Sequence, residues 1–203
     1  MRTVEDRLLD RIEAVETQNL AARQRRELGW SGSERIDPLA IQSVQELWTV
    51  RGRSAVRVYF PKGDTLRVRP GHTTLEGLGL VVRINELIRR KALFGDGHAR
   101  FVVAKEIGHA TLRHPDMKAA LFEKHRKRVI AGSDEARRTL ISAACSMEFH
   151  ASVFAAKLLI GQNGDPNACP EDLSIRCGID AFSAQVFFSE VPAKLTDRPV
   201  RSG

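Results

Sequence analysis

Lys105, Glu106 and His109 stand at i, i+1 and i+4 of one segment. Two histidines at i and i+4 of a helix share a face on which they hold zinc. A glutamate directly after the first histidine then reaches the metal-bound water as general base. Here the frame is Lys105-Glu106-Ile107-Gly108-His109, so the base and the second ligand are in place and the first ligand is a lysine. At about 100° per residue, Lys105, Glu106 and His109 fall in one sector of a helical wheel. Phe101, Ala104, Ile107, Gly108, Thr111 and Leu112 fill most of the opposite arc. The spacing predicts a helix with an apolar back set in a core and three polar groups facing elsewhere together.

Glu148 is the second informative position. On a long helix it shares its face with Ala144, Ala151, Ser152 and Ala155, with Cys145 and Ile141 beside them. Small side chains there let another helix backbone come close. A carboxylate amid such a face costs free energy unless it meets a cation, a metal or hydrogen-bond donors. The plainer alternative is that Glu148 reaches water or pairs with an arginine.

In this order the segments resemble the ImmA/IrrE metallopeptidases. Val82-Arg-Ile-Asn85 resembles that family's strand ending in Asn before the catalytic helix. Arg100-Phe-Val-Val-Ala-Lys-Glu-Ile-Gly-His109 is similar to its RFTxAHELGH motif. Glu148-Phe-His-Ala-Ser-Val-Phe-Ala-Ala-Lys-Leu-Leu159 is similar to its ExxAxxFAxxLL segment. The stretch from Leu173 to Ala184 resembles its short C-terminal helices. The likeness covers roughly residues 35–190. It implies a zincin-like fold in which His109 and Glu148 match zinc ligands and Glu106 matches the base. Lys105 departs at the remaining ligand, and Gly161 stands near a proline that commonly closes the FAxxLL segment.

Lysine is a poor zinc ligand at neutral pH. His109 and Glu148 alone are too few for a catalytic zinc, which takes three protein ligands. Among candidates to complete the set, His150 lies about 200° around the helix from Glu148 and faces away. His114 is about 140° from His109, but near a helix end from which it could bend back. His98 and His72 are expected in loops. Alternatively, the ammonium of Lys105 occupies the zinc position and satisfies Glu148, with Glu106 as a further partner, as a buried ion pair. Breaking such a pair from one side costs about 3–5 kcal/mol.

The elements that would position these groups can be read in turn. Residues 3–28 read as one helix with a narrow stripe of Val4, Leu8, Ile12 and Val15, suited to docking or dimerisation. After a break at Trp30-Ser-Gly-Ser, Asp37-Pro38 reads as a cap and first position of a helix to about Val50. Residues 55–60 and 65–69 alternate as strands around a Lys62-Gly63-Asp64 turn. Residues 78–85 form a third, more apolar strand. Gly95-Asp96-Gly97 turns into a helix from about His98 to Arg113, which Pro115 ends. Ser133 caps a long helix, about Asp134 to Ile160, with Asp134 and Glu135 in its first turn. A loop at 161–169 leads to short helices near 170–177 and 180–190, separated by Gly178. Helices, a small antiparallel sheet and helices again predict an α+β, zincin-like fold.

The 203 residues, 42% apolar and 28% charged, allow one core with a small appendage. The predicted organisation is an N-terminal helix in 1–35, a peptidase-like domain in 36–192 and a frayed tail in 193–203. Three cysteines without CxxC spacing suit a reduced, cytoplasmic setting. Charges from Arg2 onward exclude an apolar signal region. Glu148 and His150 argue against a membrane span in the most apolar stretch.

The net charge of +7 is not by itself a nucleic-acid signature. The run Lys124-His125-Arg126-Lys127-Arg128, with Arg137 and Arg138, reads as a solvated surface or as a contact for DNA or an acidic protein. The strand-region basics Arg51, Arg53, Arg57, Lys62, Arg67 and Arg69 have only Asp64 as a nearby acid in sequence. Residues 173–191 have the outline of a helix-turn-helix. Phe182, Phe187 and Phe188, with no Lys or Arg in the second helix, assign it to core packing. Cys145 lies near the Glu148 face, where a thiol pKa should rise.

The leading expectation is a degenerate peptidase scaffold acting as a regulatory or protein-binding module. The resemblance implies transcriptional regulation, stress response or mobile elements as its setting, with a transcriptional regulator as partner. An active zinc endopeptidase that cleaves a repressor-type regulator is the alternative. A basic protein contacting DNA is a third. Zinc is the one cofactor the scaffold implies, and Lys105 puts it in doubt.

Overall fold

The computed structural model describes residues 14–30, 35–62, 69–161 and 168–188. The chain is α+β. In order come α1 (Ala14–Glu27), a 3-10 turn (Pro38–Ser43), β1 (Glu46–Thr49), β2 (Gly52–Tyr59), β3 (Gly71–Glu76) and β4 (Gly79–Ile84). Then follow α2 (Glu86–Leu93), α3 (Gly97–Thr111), α4 (His114–Ile130), α5 (Asp134–Ile160), α6 (Pro170–Cys177) and α7 (Ala181–Phe188).

The sheet has four strands in the order β1-β2-β4-β3. β1 and β2 form an antiparallel hairpin whose turn is tied by Thr49: its Oγ1 donates to Gly52 O at 2.7 Å. β3 and β4 form a second hairpin through Gly77, which sits at φ +61 in the left-handed region that suits glycine. The hairpins join through parallel pairing of β2 with β4, Val56 opposite Leu80 and Val58 opposite Val82. The sheet is therefore mixed, not purely antiparallel, and β3 is an outermost strand among the described residues.

The expected helix over 38–50 is corrected. Asp37 does cap, accepting from Leu39 N at 3.0 Å, but only the short 3-10 turn follows. Val44 takes an extended backbone and Gln45 O accepts from Val56 N at 2.8 Å. Pairing with β2 captures a segment that ends in β-prone Trp48, Thr49 and Val50. The expected strand over 65–69 lies almost entirely outside the described residues, as do residues 3–13 of the first helix and the tail 193–203.

α5 runs over its expected span. Ser133 Oγ accepts from Ala136 N at 3.3 Å, and Gly161 ends the helix at φ +72. Its length and hydropathy of 1.3 would suffice to cross a membrane, but 56% of that window is buried within the protein. Pro115 does not end α3. The helix stops at Thr111, and Pro115 stands in the first turn of α4, where a missing N–H costs nothing.

α3 and α5 cross at close range. A Cβ on Gly108 would lie 2.9 Å from Ala151 O and 3.0 Å from Phe154 Cδ1. Ile107, Ala110, Leu112, Phe154, Ala155 and Leu158 fill the core around the crossing, with Leu80, Val82 and Ile84 from the sheet. The described part of α1 packs on α5 and β1, burying Thr17, Ala21 and Gln24. Arg25 Nη1 donates to Leu158 O at 2.5 Å and so satisfies one of the last carbonyls of α5. The stripe residues Val4, Leu8 and Ile12 lie outside the described residues.

At the C-terminal helices Leu173, Ile179 and Ala184 are buried, as core packing predicts, but Phe182 is 75% exposed. The core assignment of that side chain is corrected. Gly178 at φ +61 closes α6 by a left-handed turn.

Candidate functional site

A cleft of about 410 Å³ opens between β3, α3, the start of α4 and the middle of α5. Lys105, Glu106, His109, His114 and Glu148 all line it. The crossing at Gly108 and Ala151 sets the two charged faces opposite one another.

Lys105 Nζ lies 2.6 Å from Glu148 Oε2, and His109 Nε2 lies 3.5 Å from Glu148 Oε1. The hydrogen bond from His109 holds the Glu148 carboxyl well below the usual carboxylate range, against the opposing pull of burial. The hydrogen bond and charge of Lys105 add to the lowering. The pair is not a buried one. The side chains of Lys105 and Glu148 are 28% and 57% exposed, because Glu148 stands at the cleft mouth.

Glu106 is turned away from this pair. Its Oε2 accepts from Thr73 Oγ1 at 2.6 Å, and its side chain lies under β3. A Cβ on Gly71 would come within 2.5 Å of Glu106 Cγ, so the strand passes over the carboxyl only because that position is glycine. Burial raises the Glu106 pKa, while the charge of His109 and the Thr73 hydrogen bond oppose the rise.

His114 bends back as its place near a helix end allows. Arg113 takes the left-handed conformation at φ +56, held by a hydrogen bond from its Nε to Asp116 and another from Nη1 to Ser54 Oγ at 3.2 Å. The reversal puts His114 Nδ1 2.9 Å from His109 Nδ1. One ring donates there and the other accepts. Burial, with the nearby His109 and His150, lowers the His114 pKa to about 2, so its ring is neutral and carries one N–H. Its Nε2 is buried without a partner.

His150 faces away from Glu148 yet its ring centroid is 6.5 Å from that of His114, so it backs the site from behind. His72 is not in a loop. It lies on β3 and lines the cleft, its pKa lowered by burial and then by Arg69, Lys118, Arg83 and His109. His98 is not in a loop either but in the first turn of α3, remote from the cleft and 3.6 Å from Asp180. Sequence reasoning missed Thr73 and Lys118, and named Arg69 only among the strand-region basics. The only local signal was the short β-branched run at Thr73-Thr74 between Pro70 and Gly77.

Where the motif would carry its first zinc ligand stands the Lys105 ammonium, paired with Glu148; Glu106 accepts from Thr73, and His109 directs Nε2 at Glu148 and Nδ1 at His114. Among the described residues no group of three or more His, Cys, Asp or Glu side chains is placed to hold a metal ion.

Arg126, Lys127 and Arg128 are exposed on α4 and do not line the cleft. Arg128 pairs with Glu135 at 2.6 Å and Arg126 with Glu123 at 3.8 Å. Three of the strand-region basics likewise have acids that the sequence did not place beside them. Arg53 meets Glu27 at 3.2 Å and Glu46 at 3.7 Å, Arg57 meets Glu76 at 3.9 Å, and Arg51 meets Asp116 at 3.5 Å. These pairs are brought together by tertiary packing and offset much of the expected basic surface. Cys145 is exposed rather than set in the helix crossing.

Comparison with protein-family models, with curated proteins and with solved structures returns no match for this chain.

Proposed function

We propose that this chain is a degenerate relative of the ImmA/IrrE metallopeptidases, a zincin-like scaffold that works as a regulatory, protein-binding module without catalytic zinc. The observation that carries this reading is the 2.6 Å contact between Lys105 Nζ and Glu148 Oε2. The ammonium stands where the motif resemblance would put a metal, and it meets the carboxylate that would ligate that metal. Glu106, the residue that matches the base, spends its Oε2 on Thr73.

The cleft keeps what binding needs. β3 is an outermost strand of the described sheet and runs along the cleft wall. An extended segment of a partner protein can add to such an edge by backbone hydrogen bonds. A transcriptional regulator is the partner class that the resemblance implies.

Metal analysis of the purified full chain, before and after incubation with equimolar zinc, tests the reading. The expected result is far less than one zinc per chain and no cleavage of an unfolded protein substrate. One tightly bound zinc per chain overturns it.

A further inference from the structure

The two ends of the cleft differ in charge. At the α3/α5 end the charges of Lys105 and Glu148 are spent on one another, with His109 Nε2 3.5 Å from Glu148 Oε1. At the β3/α4 end Arg69, His72 and Lys118 converge. Among the described residues the acids lining the cleft are Glu106 and Glu148, and both are engaged elsewhere, with Thr73 and with Lys105. Three of the groups that lower the His72 pKa are the cations of Arg69, Lys118 and Arg83, which marks that end as a concentrated positive field.

The wall continues past Lys118 into an apolar slot of about 90 Å³ between α4 and α5. Leu121, Phe122, Leu140 and Ala143 line it, and Lys118, Ala144 and Met147 belong to both the slot and the cleft. Phe122 is 51% exposed at the slot's edge. A positive concavity that runs directly into a narrow apolar slot suits a peptide better than a nucleic-acid backbone, which has no aliphatic group to fill it.

We infer that this end of the cleft binds a carboxylate on a partner protein segment, with a neighbouring aliphatic side chain seated in the slot between α4 and α5. The inference rests on the protein-binding reading and specifies the partner's chemistry. Arg69 and Lys118 contact the carboxylate, while Met147 and Phe122 contact the aliphatic group. The carboxylate comes from an acidic side chain or from a chain terminus.

Synthetic octapeptides test this on the full chain by fluorescence polarisation. Each carries one leucine, with Glu, Gln or Lys at each neighbouring position in turn, and each is made with a free or an amidated C-terminus. The expected result is binding at least about tenfold tighter for carboxylate-bearing peptides than for their Gln and Lys counterparts, weakening as salt is raised. Preference among amidated peptides identifies a side-chain carboxylate; preference only for free termini identifies a terminal one. Arg69→Ala combined with Lys118→Ala should erase the preference, and circular dichroism checks that this exposed pair of changes leaves the fold intact.

The inference is overturned if amidated Gln or Lys peptides, which carry no carboxylate, bind as tightly as the carboxylate-bearing ones, if the double variant keeps the preference, or if no peptide binds. Tight binding of uncharged peptides by a zinc-free chain would sink only this inference. Bound zinc with peptide cleavage would sink the protein-binding reading beneath it.

Discussion

Lys105 on α3 and Glu148 on α5 face each other across the helix crossing with 2.6 Å between Nζ and Oε2. Their exposure decides what the contact is worth. A pair sealed in the core would cost about 3–5 kcal/mol to break from one side. With Glu148 more than half exposed, solvent screens the interaction and the coupling falls to about 0.5–1 kcal/mol. A double-mutant cycle of Lys105→Met and Glu148→Gln, read by urea unfolding, should return a coupling in that range that shrinks with added salt. A coupling of several kcal/mol, insensitive to salt, would show a desolvated pair.

Lys105→His tests whether the proposed zincin-like site can take a metal. The new imidazole would join His109 and Glu148, already 3.5 Å apart, as a third ligand. The variant is expected to bind about one zinc per chain and to gain thermal stability with zinc, about 2.7 kcal/mol when free zinc is a hundredfold above Kd. Zinc titration followed by calorimetry and metal analysis measures both. Absence of uptake would mean that the pocket between His109 and Glu148 does not accept a metal even with the missing ligand restored.

What the sequence could and could not disclose divides by the range of the interactions. α5 was legible because Ser133, the acids after it and a long small-residue face are all local signals. The face shared by Lys105, Glu106 and His109 followed from helical geometry alone. β1 was hidden because its strand state depends on pairing with β2, while Asp37-Pro38 locally favours a helix start. His72 was hidden for the same reason: β3 becomes a strand only through β4, and its place in the cleft depends on the sheet meeting α3. Pro115 was ambiguous in principle, since a proline after a helix and a proline opening the next one look alike. Nothing in the sequence marks Arg113 for a left-handed backbone, which a glycine would have advertised.

Acid should act on the fold through His114. Its pKa is about 2 in the folded chain against about 6.5 when exposed. Between those values the unfolded state binds the extra proton, so stability is full above about pH 6.5 and declines as the pH falls. The loss between pH 7 and 5.5 is about 1 kcal/mol. His109, His150 and Glu148 surround the ring, and the raised Glu106 carboxyl acts with the opposite sign, favouring the fold as the pH drops towards its own titration. His114→Leu isolates the term. It should lose stability at pH 7, by leaving His109 Nδ1 unpaired, yet show a pH 7 to 5.5 decline smaller by about 1 kcal/mol than the wild type. Parallel declines in urea unfolding across that range would rule out a neutral buried His114.

Gly71 and Glu106 make a pair whose coupling is steric. The strand crosses the carboxyl so closely that an added Cβ would sit 2.5 Å from Glu106 Cγ and 2.7 Å from Oε1. Gly71→Ala must therefore displace the Glu106 side chain, break its 2.6 Å hydrogen bond from Thr73, or push β3 off α3. Overpacking and a lost hydrogen bond together predict a loss of about 2–3 kcal/mol. If the carboxyl is the obstacle, Glu106→Ala makes room, and the second substitution restores much of what the first costs. A double variant at least as stable as Gly71→Ala alone would place Glu106 under the strand. A double variant losing the full sum of both single costs would mean that Gly71 is needed for its backbone alone, and that the Glu106 carboxyl points into the cleft, where it could again serve as a base.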